Sequence, residues 1–127
     1  MKSKIVIATM NEHKAREIRA LIGDRYDVMT QASFSIPSVP ETGETFEENA
    51  LIKANEVSRK TGLMTLADDS GLEVDLLDGK PGVYSARYAG PNATDAENNK
   101  RLLADLERFK SQKIMARFQS VIALIDP

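Results

Sequence analysis

The sequence contains no cysteine and only one histidine, His13, among its 127 residues. The absence of cysteine excludes disulfides, thiolate catalysis and cysteine-ligated zinc, and a single histidine excludes a metal cage built from several imidazoles. A metal bound by this chain would therefore need oxygen ligands, which favours Mg²⁺ or Mn²⁺ over Zn²⁺.

Long apolar runs and an excess of charge of either sign are absent as well. No apolar run reaches the length of a membrane span, and no cleavage pattern follows the short apolar stretch near the N-terminus. The 17 basic and 19 acidic residues leave a formal net charge of −2, which gives no electrostatic basis for binding nucleic acid or a membrane surface. We therefore expect a cytoplasmic protein without nucleic-acid or membrane partners. A local lysine cluster for a small anionic ligand is compatible with this balance.

The apolar periodicity predicts one α/β domain over residues 1–127, with a mixed sheet and flanking helices. Continuous or alternating apolar runs predict the strands, while capping boxes at Thr45–Glu48 and Thr94–Glu97 mark two helix starts. The predicted strands cover 4–8, 26–31, 63–67, 72–77 and 114–125, and the predicted helices end at Gly23, at Gly62 and near Phe109.

Two adjacent carboxylates, Asp68 and Asp69, separate the third and fourth predicted strands. We expect them at the carboxyl end of the third strand, where ligands bind in open α/β sheets, with Ser70 and Gly71 forming a tight turn. Successive strand residues point to opposite sides, so the two acids need not share a role. Each raises the proton affinity of the other unless a cation intervenes. A functional interpretation is favoured over a polar turn, because a turn requires only one aspartate.

The segment at residues 8–14, "ATMNEHK", joins the first strand to a helix start. Free amides at a helix N-terminus attract anions, Lys14 adds positive charge, and Thr9 and Asn11 can hydrogen-bond phosphate oxygens. The alternative is a simple turn in which Asn11 caps the helix. His13 is interpreted as a solvated side chain in the first helical turn.

Lys53 and Asn49 lie beside the apolar stripe of the second predicted helix. A lysine in that position either extends its ammonium into solvent or directs it into a cleft. Glu41 lies in a loop before this helix, and it is a solvated loop acid unless the loop folds over Asp69.

Residues 79–90 place two tyrosines and an arginine, Tyr84, Arg87 and Tyr88, within five positions between glycines. Such a segment can contact a ligand or a partner subunit, or it can simply cover the protein core. The sequence does not separate these two interpretations.

Four stretches occur in one order along the chain: "ATMNEHKAREI", "ETGETFEENALIKA", "LADDSGLEVDLLDGKPGVYSARYAG" and "ARF". Together they resemble the inosine triphosphate pyrophosphatase family, the Ham1-like pyrophosphatases of non-canonical purine nucleoside triphosphates. The blocks "ADDSGLEVD" and "PGVYSARYAG" are highly specific to that family, and the resemblance extends over essentially the whole chain.

The resemblance implies a two-lobed fold of the Maf/Ham1 type, a homodimer, and Mg²⁺-dependent hydrolysis of ITP, dITP or XTP to the monophosphate and pyrophosphate. It implies that Asp69 is the general base and that Glu41, Asp68 and Asp69 bind the metal. It also implies a substrate-binding set consisting of Thr9, Asn11, Glu12, His13, Lys14, Lys53 and Ser70.

The family's C-terminal third, with a Gly-Tyr-Asp-Pro element, a lysine and a Ser-His-Arg element, has no counterpart in these 127 residues. A second interpretation is therefore a non-catalytic relative that keeps the fold and binds nucleotide or metal weakly. A third is a similarly folded Maf-type pyrophosphatase, against which "ADDSG" and "YSARYAG" argue. The last predicted strand is expected to expose an edge, so that the chain either associates through this edge or is marginally stable.

Overall fold

A computed structural model describes all 127 residues and contains one four-stranded sheet with the strand order β2-β1-β3-β4. Three α-helices accompany the sheet, and short 3₁₀ segments join several of the elements. The elements are β1 (Ser3–Ile7), α1 (Glu12–Ile22), β2 (Tyr26–Thr30), α2 (Phe46–Thr61), β3 (Met64–Val74), α3 (Asp95–Leu106) and β4 (Ala116–Ile125). The α/β class and the mixed sheet expected from the sequence are confirmed.

The chain divides into two compact units, of which the first comprises Met1–Asp69 and Val121–Pro127. Its centre is β1, which pairs in parallel with both β2 and β3. Residues 5–7 of β1 are at most 2% exposed, as the continuous β-branched run predicts for a strand covered on both faces.

Helix α2 covers one face of this sheet with small side chains. Ala50, Ala54 and Val57 are fully buried and pack with Val6 and Ala67 in the main core cluster. Small residues let the helix backbone lie close to the sheet, and this closeness brings the polar residues beside the stripe within reach of β3. The apolar stripe predicted for this helix is confirmed.

Strand β3 corrects one expectation. The sequence predicted two strands with a turn at Asp68–Gly71, but a single strand runs through these residues from Met64 to Val74. Burial alternates along it, since Thr65, Ala67, Asp69 and Gly71 are buried and the residues between them are only partly buried. The fourth predicted strand, 72–77, was wrong in its last part, because Asp75–Leu77 form a 3₁₀ turn.

The two predicted capping boxes differ in the structure. At α3, the Thr94 side chain accepts from the Glu97 amide and the Glu97 side chain accepts from the Thr94 amide, so that box is confirmed. At α2, the Thr45 hydroxyl accepts from the Glu48 amide, but the Glu48 carboxylate accepts from the Glu44 amide instead of the Thr45 amide. The second half of that box was therefore wrong, and Glu48 ties down the preceding loop.

The second unit comprises Ser70–Ser120 and contains α3 and the Tyr-Arg-Tyr segment. Residues Gly82–Arg87 form a 3₁₀ helix. Asn98 of α3 fixes the end of this helix, because its side-chain amide donates to the carbonyl of Ala86 and its Oδ1 accepts from the amide of Ala89. Tyr88 is buried, and its hydroxyl donates to Asp105. For Tyr88 the structure therefore favours the covering interpretation, while Tyr84 remains half exposed.

Strand β4 lies at one edge of the sheet, as expected. Three of its large apolar side chains, Phe118, Ile122 and Leu124, are more than half exposed. No helix of the structure is both long and apolar enough to cross a membrane.

Candidate active site

Strand β3 directs its two adjacent acids to opposite faces of the sheet. Asp69 is only 5% exposed and lies on the face covered by α2, whereas Asp68 lies on the other face and is partly exposed. The expectation that the two carboxylates have separate surroundings is confirmed, although it was derived for a strand end and the acids lie within a strand.

The buried acid is paired with Lys53 from α2. The Lys53 Nζ lies 2.9 Å from Glu41 Oε1, 3.5 Å from Asp69 Oδ1 and 2.7 Å from the backbone oxygen of Asp68. An ammonium group has three N–H donors, so these three acceptors use all of them. The lysine therefore points inward, and it joins the Glu41 loop to the acid pair instead of extending into solvent.

The other acid is paired with Lys14 from α1. Its Nζ lies 2.9 Å from Asp68 Oδ2, and about a third of the lysine side chain, 34%, is exposed. The two lysines thus approach the two faces of the same strand. Each neutralises the charge of one carboxylate, which lowers the free-energy cost of placing that carboxylate in the sheet.

Burial raises the pKa of the Asp69 carboxyl above its ordinary value. The positive charge of Lys53 opposes this effect, and the negative charge of Glu41 adds to it. Asp68 was expected to raise this pKa, but the causes are burial and Glu41, because Asp68 lies on the opposite face. A raised pKa is what a carboxylate needs to accept a proton near neutral pH.

At the start of α1, Asn11 caps the helix. Its Oδ1 accepts from the amides of His13 at 2.9 Å and Lys14 at 3.2 Å, and its own amide donates to Thr9 Oγ1 at 3.0 Å. The helix-cap interpretation of this segment is therefore confirmed. An anion would have to share these amides or take them from Asn11.

The remaining predicted substrate contacts are less constrained. His13 is exposed and pairs with Glu17 at 3.0 Å on the same helix, as expected for a solvated histidine. Glu12 is exposed in the first turn of α1. Ser70 follows Asp69 in β3 but belongs to the second unit, so its contact with substrate stays a prediction.

Glu41, Asp68 and Asp69 are the predicted metal ligands. The chain holds no group of three or more histidine, aspartate or glutamate side chains close enough to form a metal site by themselves. Mg²⁺, however, is usually held by one or two carboxylates together with substrate phosphates and water. Asp69 Oδ2 is buried without a hydrogen-bond partner, and a hard cation or a ligand would satisfy such an oxygen. The donor chemistry therefore fits magnesium.

Asn49 is a buried polar residue of α2 that the sequence places beside the apolar stripe but not among the predicted site residues. The side chain is fully buried, and its Oδ1 accepts from the amide of Gly43 at 2.7 Å. The signal that could have identified it is its spacing from Lys53, since residues four apart on a helix share one face.

The sequence profile of the Ham1 family matches residues 5–127. A protein from Photobacterium profundum named dITP/XTP pyrophosphatase is 50% identical over 124 residues, which are 97% of this chain and 63% of the relative. A protein of the same name from Bacillus licheniformis is 48% identical over 126 residues, 98% of this chain and 64% of the relative.

Solved structures give the same picture. A HAM1 protein from Coxiella burnetii is 46% identical with a TM-score of 0.89, over 98% of this chain and 64% of that one. A nucleoside-triphosphatase / dITP/XTP pyrophosphatase from Mycobacterium abscessus is 39% identical with a TM-score of 0.77, over 97% and 64%. The chain thus spans slightly less than two thirds of the length of these relatives.

Proposed function

This chain belongs to the Ham1 family, and on that premise we propose that it hydrolyses non-canonical purine nucleoside triphosphates such as dITP, ITP and XTP to the monophosphate and pyrophosphate. The observation that supports this most is Lys53 held between Glu41 at 2.9 Å and the buried Asp69 at 3.5 Å. The relatives whose names specify dITP/XTP pyrophosphatase activity align with nearly all of this chain.

In the proposed reaction, water attacks the α-phosphorus and the bond between that phosphorus and the α–β bridging oxygen breaks. Asp69 accepts the proton of the water, because burial gives its carboxylate a raised proton affinity. Lys14, partly exposed, contributes positive charge to the phosphates, as charge stabilisation is the main requirement of phosphoryl transfer. Lys53 orders the acids, and it contacts substrate only by releasing one of its three acceptors.

We further propose that Glu41 and Asp69, which Lys53 holds together, would bind Mg²⁺ with the triphosphate. Asp68 pairs with Lys14 on the opposite face, so its role as a third metal ligand stays a prediction. When bound, the metal supplies Lewis-acid stabilisation of the negative charge on the phosphate oxygens. The homodimer and the cytoplasmic location expected from the sequence stay predictions, as does the single domain over residues 1–127.

The direct test is incubation of the protein with dITP or ITP and Mg²⁺, with chromatographic detection of the monophosphate and enzymatic detection of pyrophosphate. Canonical ATP and GTP serve as the comparison substrates. We expect dIMP or IMP and pyrophosphate in equal amounts. Orthophosphate release would identify a different reaction, and no product from protein with native circular dichroism would support the non-catalytic alternative.

Two substitutions at Asn11 distinguish its role as the cap of helix α1 from its predicted role in binding phosphate. Asn11→Ala removes the cap and should lower the free energy of unfolding by about 1 kcal/mol. Asn11→Asp keeps an acceptor for both amides but adds negative charge near the phosphates, so it should leave the melting temperature unchanged and raise the KM for dITP. Thermal melts and steady-state kinetics measure both. An unchanged KM in the Asp variant would place the triphosphate away from this helix end.

A further inference from the structure

Asn49 connects the loop that carries Glu41 to the start of α2. Its Oδ1 accepts from the Gly43 amide at 2.7 Å, and a methyl group built on Gly43 would lie 2.8 Å from that same oxygen and 2.6 Å from Glu48 Cβ. The loop therefore approaches the helix so closely at this point that only glycine fits without a shift. This contact fixes the loop two residues after Glu41.

The other end of the same side chain is a buried donor without a partner. Asn49 Nδ2 and Asp69 Oδ2 are the two buried side-chain atoms of the chain that lack a hydrogen-bond partner. The side-chain amide of Asn49 also lowers the pKa of the Asp69 carboxyl, against the larger effect of burial. Buried polar atoms without partners are uncommon, so the unpaired donor of Asn49 and the unpaired acceptor of Asp69 both need a partner.

Asn49 lies one helical turn before Lys53, and the two side chains share a face of α2. Lys53 contacts Glu41 and Asp69 through its charge, and Asn49 holds the Glu41 loop through its amide oxygen. One helix face thus holds the Glu41 segment at two points, through Lys53 and through Asn49.

We propose that Asn49 is a positioning residue of this site, which holds the Glu41 loop through its Oδ1 and orients the Asp69 carboxylate through its Nδ2. Its function is to keep the two carboxylates at the separation that productive metal and substrate binding requires. The expected effect of Asn49 on catalysis rests on the proposed function. Its effect on the position of the Glu41 loop does not depend on any activity. Substitution of a residue that orients a metal-binding carboxylate commonly lowers metal affinity or activity roughly 10–100-fold.

The first test is Asn49→Ala, examined by amide hydrogen exchange of residues 41–43, Mn²⁺ binding followed by electron paramagnetic resonance, and turnover of dITP. We expect faster exchange at Gly43, Mn²⁺ affinity reduced roughly 10-fold or more, and kcat/KM reduced roughly 10–100-fold. Asn98→Ala is the matched control, because Asn98 is similarly buried in α3 and bonds only the backbone of its own unit. It should lower the melting temperature without altering exchange at 41–43 or Mn²⁺ affinity.

Two further variants separate the halves of the proposal. Asn49→Asp retains the acceptor for the Gly43 amide but replaces the N–H donor by a carboxylate that repels Asp69, so exchange at Gly43 should stay slow while kcat/KM falls. Gly43→Ala displaces the loop with Asn49 intact, and it replaces Asn49→Ala if that variant does not fold. The proposal is overturned if Asn49→Ala behaves like Asn98→Ala in exchange and metal affinity. Wild-type protein without dITP turnover would contradict the proposed function, while the exchange result would still decide the role of Asn49.

Discussion

Asp69→Asn is expected to reduce turnover of dITP roughly 10²–10⁴-fold, the range that a positioned general base contributes. The amide keeps the shape of the buried carboxyl but cannot accept the proton of the attacking water. Steady-state kinetics with dITP and Mg²⁺ measure this, and near-native circular dichroism establishes that the fold is retained. Asp75→Asn, an exposed acid on the 3₁₀ turn that follows β3, is the control and should keep wild-type activity.

The same variant should be at least as stable as the wild type near neutral pH. Burial raises the pKa of Asp69 in the folded protein, so its neutral form favours folding and its ionisation opposes folding. The contribution of Asp69 to stability is therefore greatest below the pKa that Asp69 has in the unfolded chain. It is lost as the pH rises through the raised pKa that Asp69 has in the folded protein. The advantage of Asp69→Asn should therefore shrink on acidification. Melting temperatures measured at neutral and acidic pH test this, and a variant clearly less stable at neutral pH would contradict it.

The local parts of the fold were predictable because their signals lie within a few residues. The β-branched run at 4–8 predicts the buried β1, Gly62 ends α2 in a left-handed conformation with φ 69°, and Thr94 opens α3 with a complete capping box. The opposite directions of Asp68 and Asp69 also follow from strand geometry alone. These features need no knowledge of distant contacts.

The continuity of β3 was not predictable in the same way. Asp, Ser and Gly are turn formers, so the local sequence at 68–71 favours a break between two strands. The strand continues because Lys14 and Lys53, 54 and 15 residues distant from Asp68, supply the compensating charges and the hydrogen bond to its backbone. Tertiary pairing of this kind overrides local preference, and a single sequence does not show which lysine meets which acid.

Lys53→Met should cause the largest loss of stability of any single change at the site. It removes the ammonium that lies 2.9 Å from Glu41 and 3.5 Å from Asp69, and it leaves two carboxylates facing each other with little solvent. Removing one partner of a buried pair costs on the order of 3 kcal/mol, because the remaining charge is uncompensated. Urea denaturation measures the loss, and dITP turnover should fall with it because the two acids no longer hold their positions.

Lys60→Met on the same helix is the matched control, since its ion pair with Glu56 at 3.1 Å is exposed to solvent and should contribute little to stability. The double variant Lys53→Met/Asp69→Asn removes one of the uncompensated charges and should recover part of the stability lost in Lys53→Met, so the two changes should not be additive. Lys53→Met should also make stability depend on pH. Without Lys53 the pKa of Asp69 rises further, because the charge of Lys53 lowers it in the wild type. The loss of unfolding free energy in Lys53→Met should then become smaller as the pH falls through that raised pKa. A deficit independent of both pH and Asp69 would show that Lys53 stabilises the fold by packing its methylene chain, and it would remove the electrostatic basis of the proposed site.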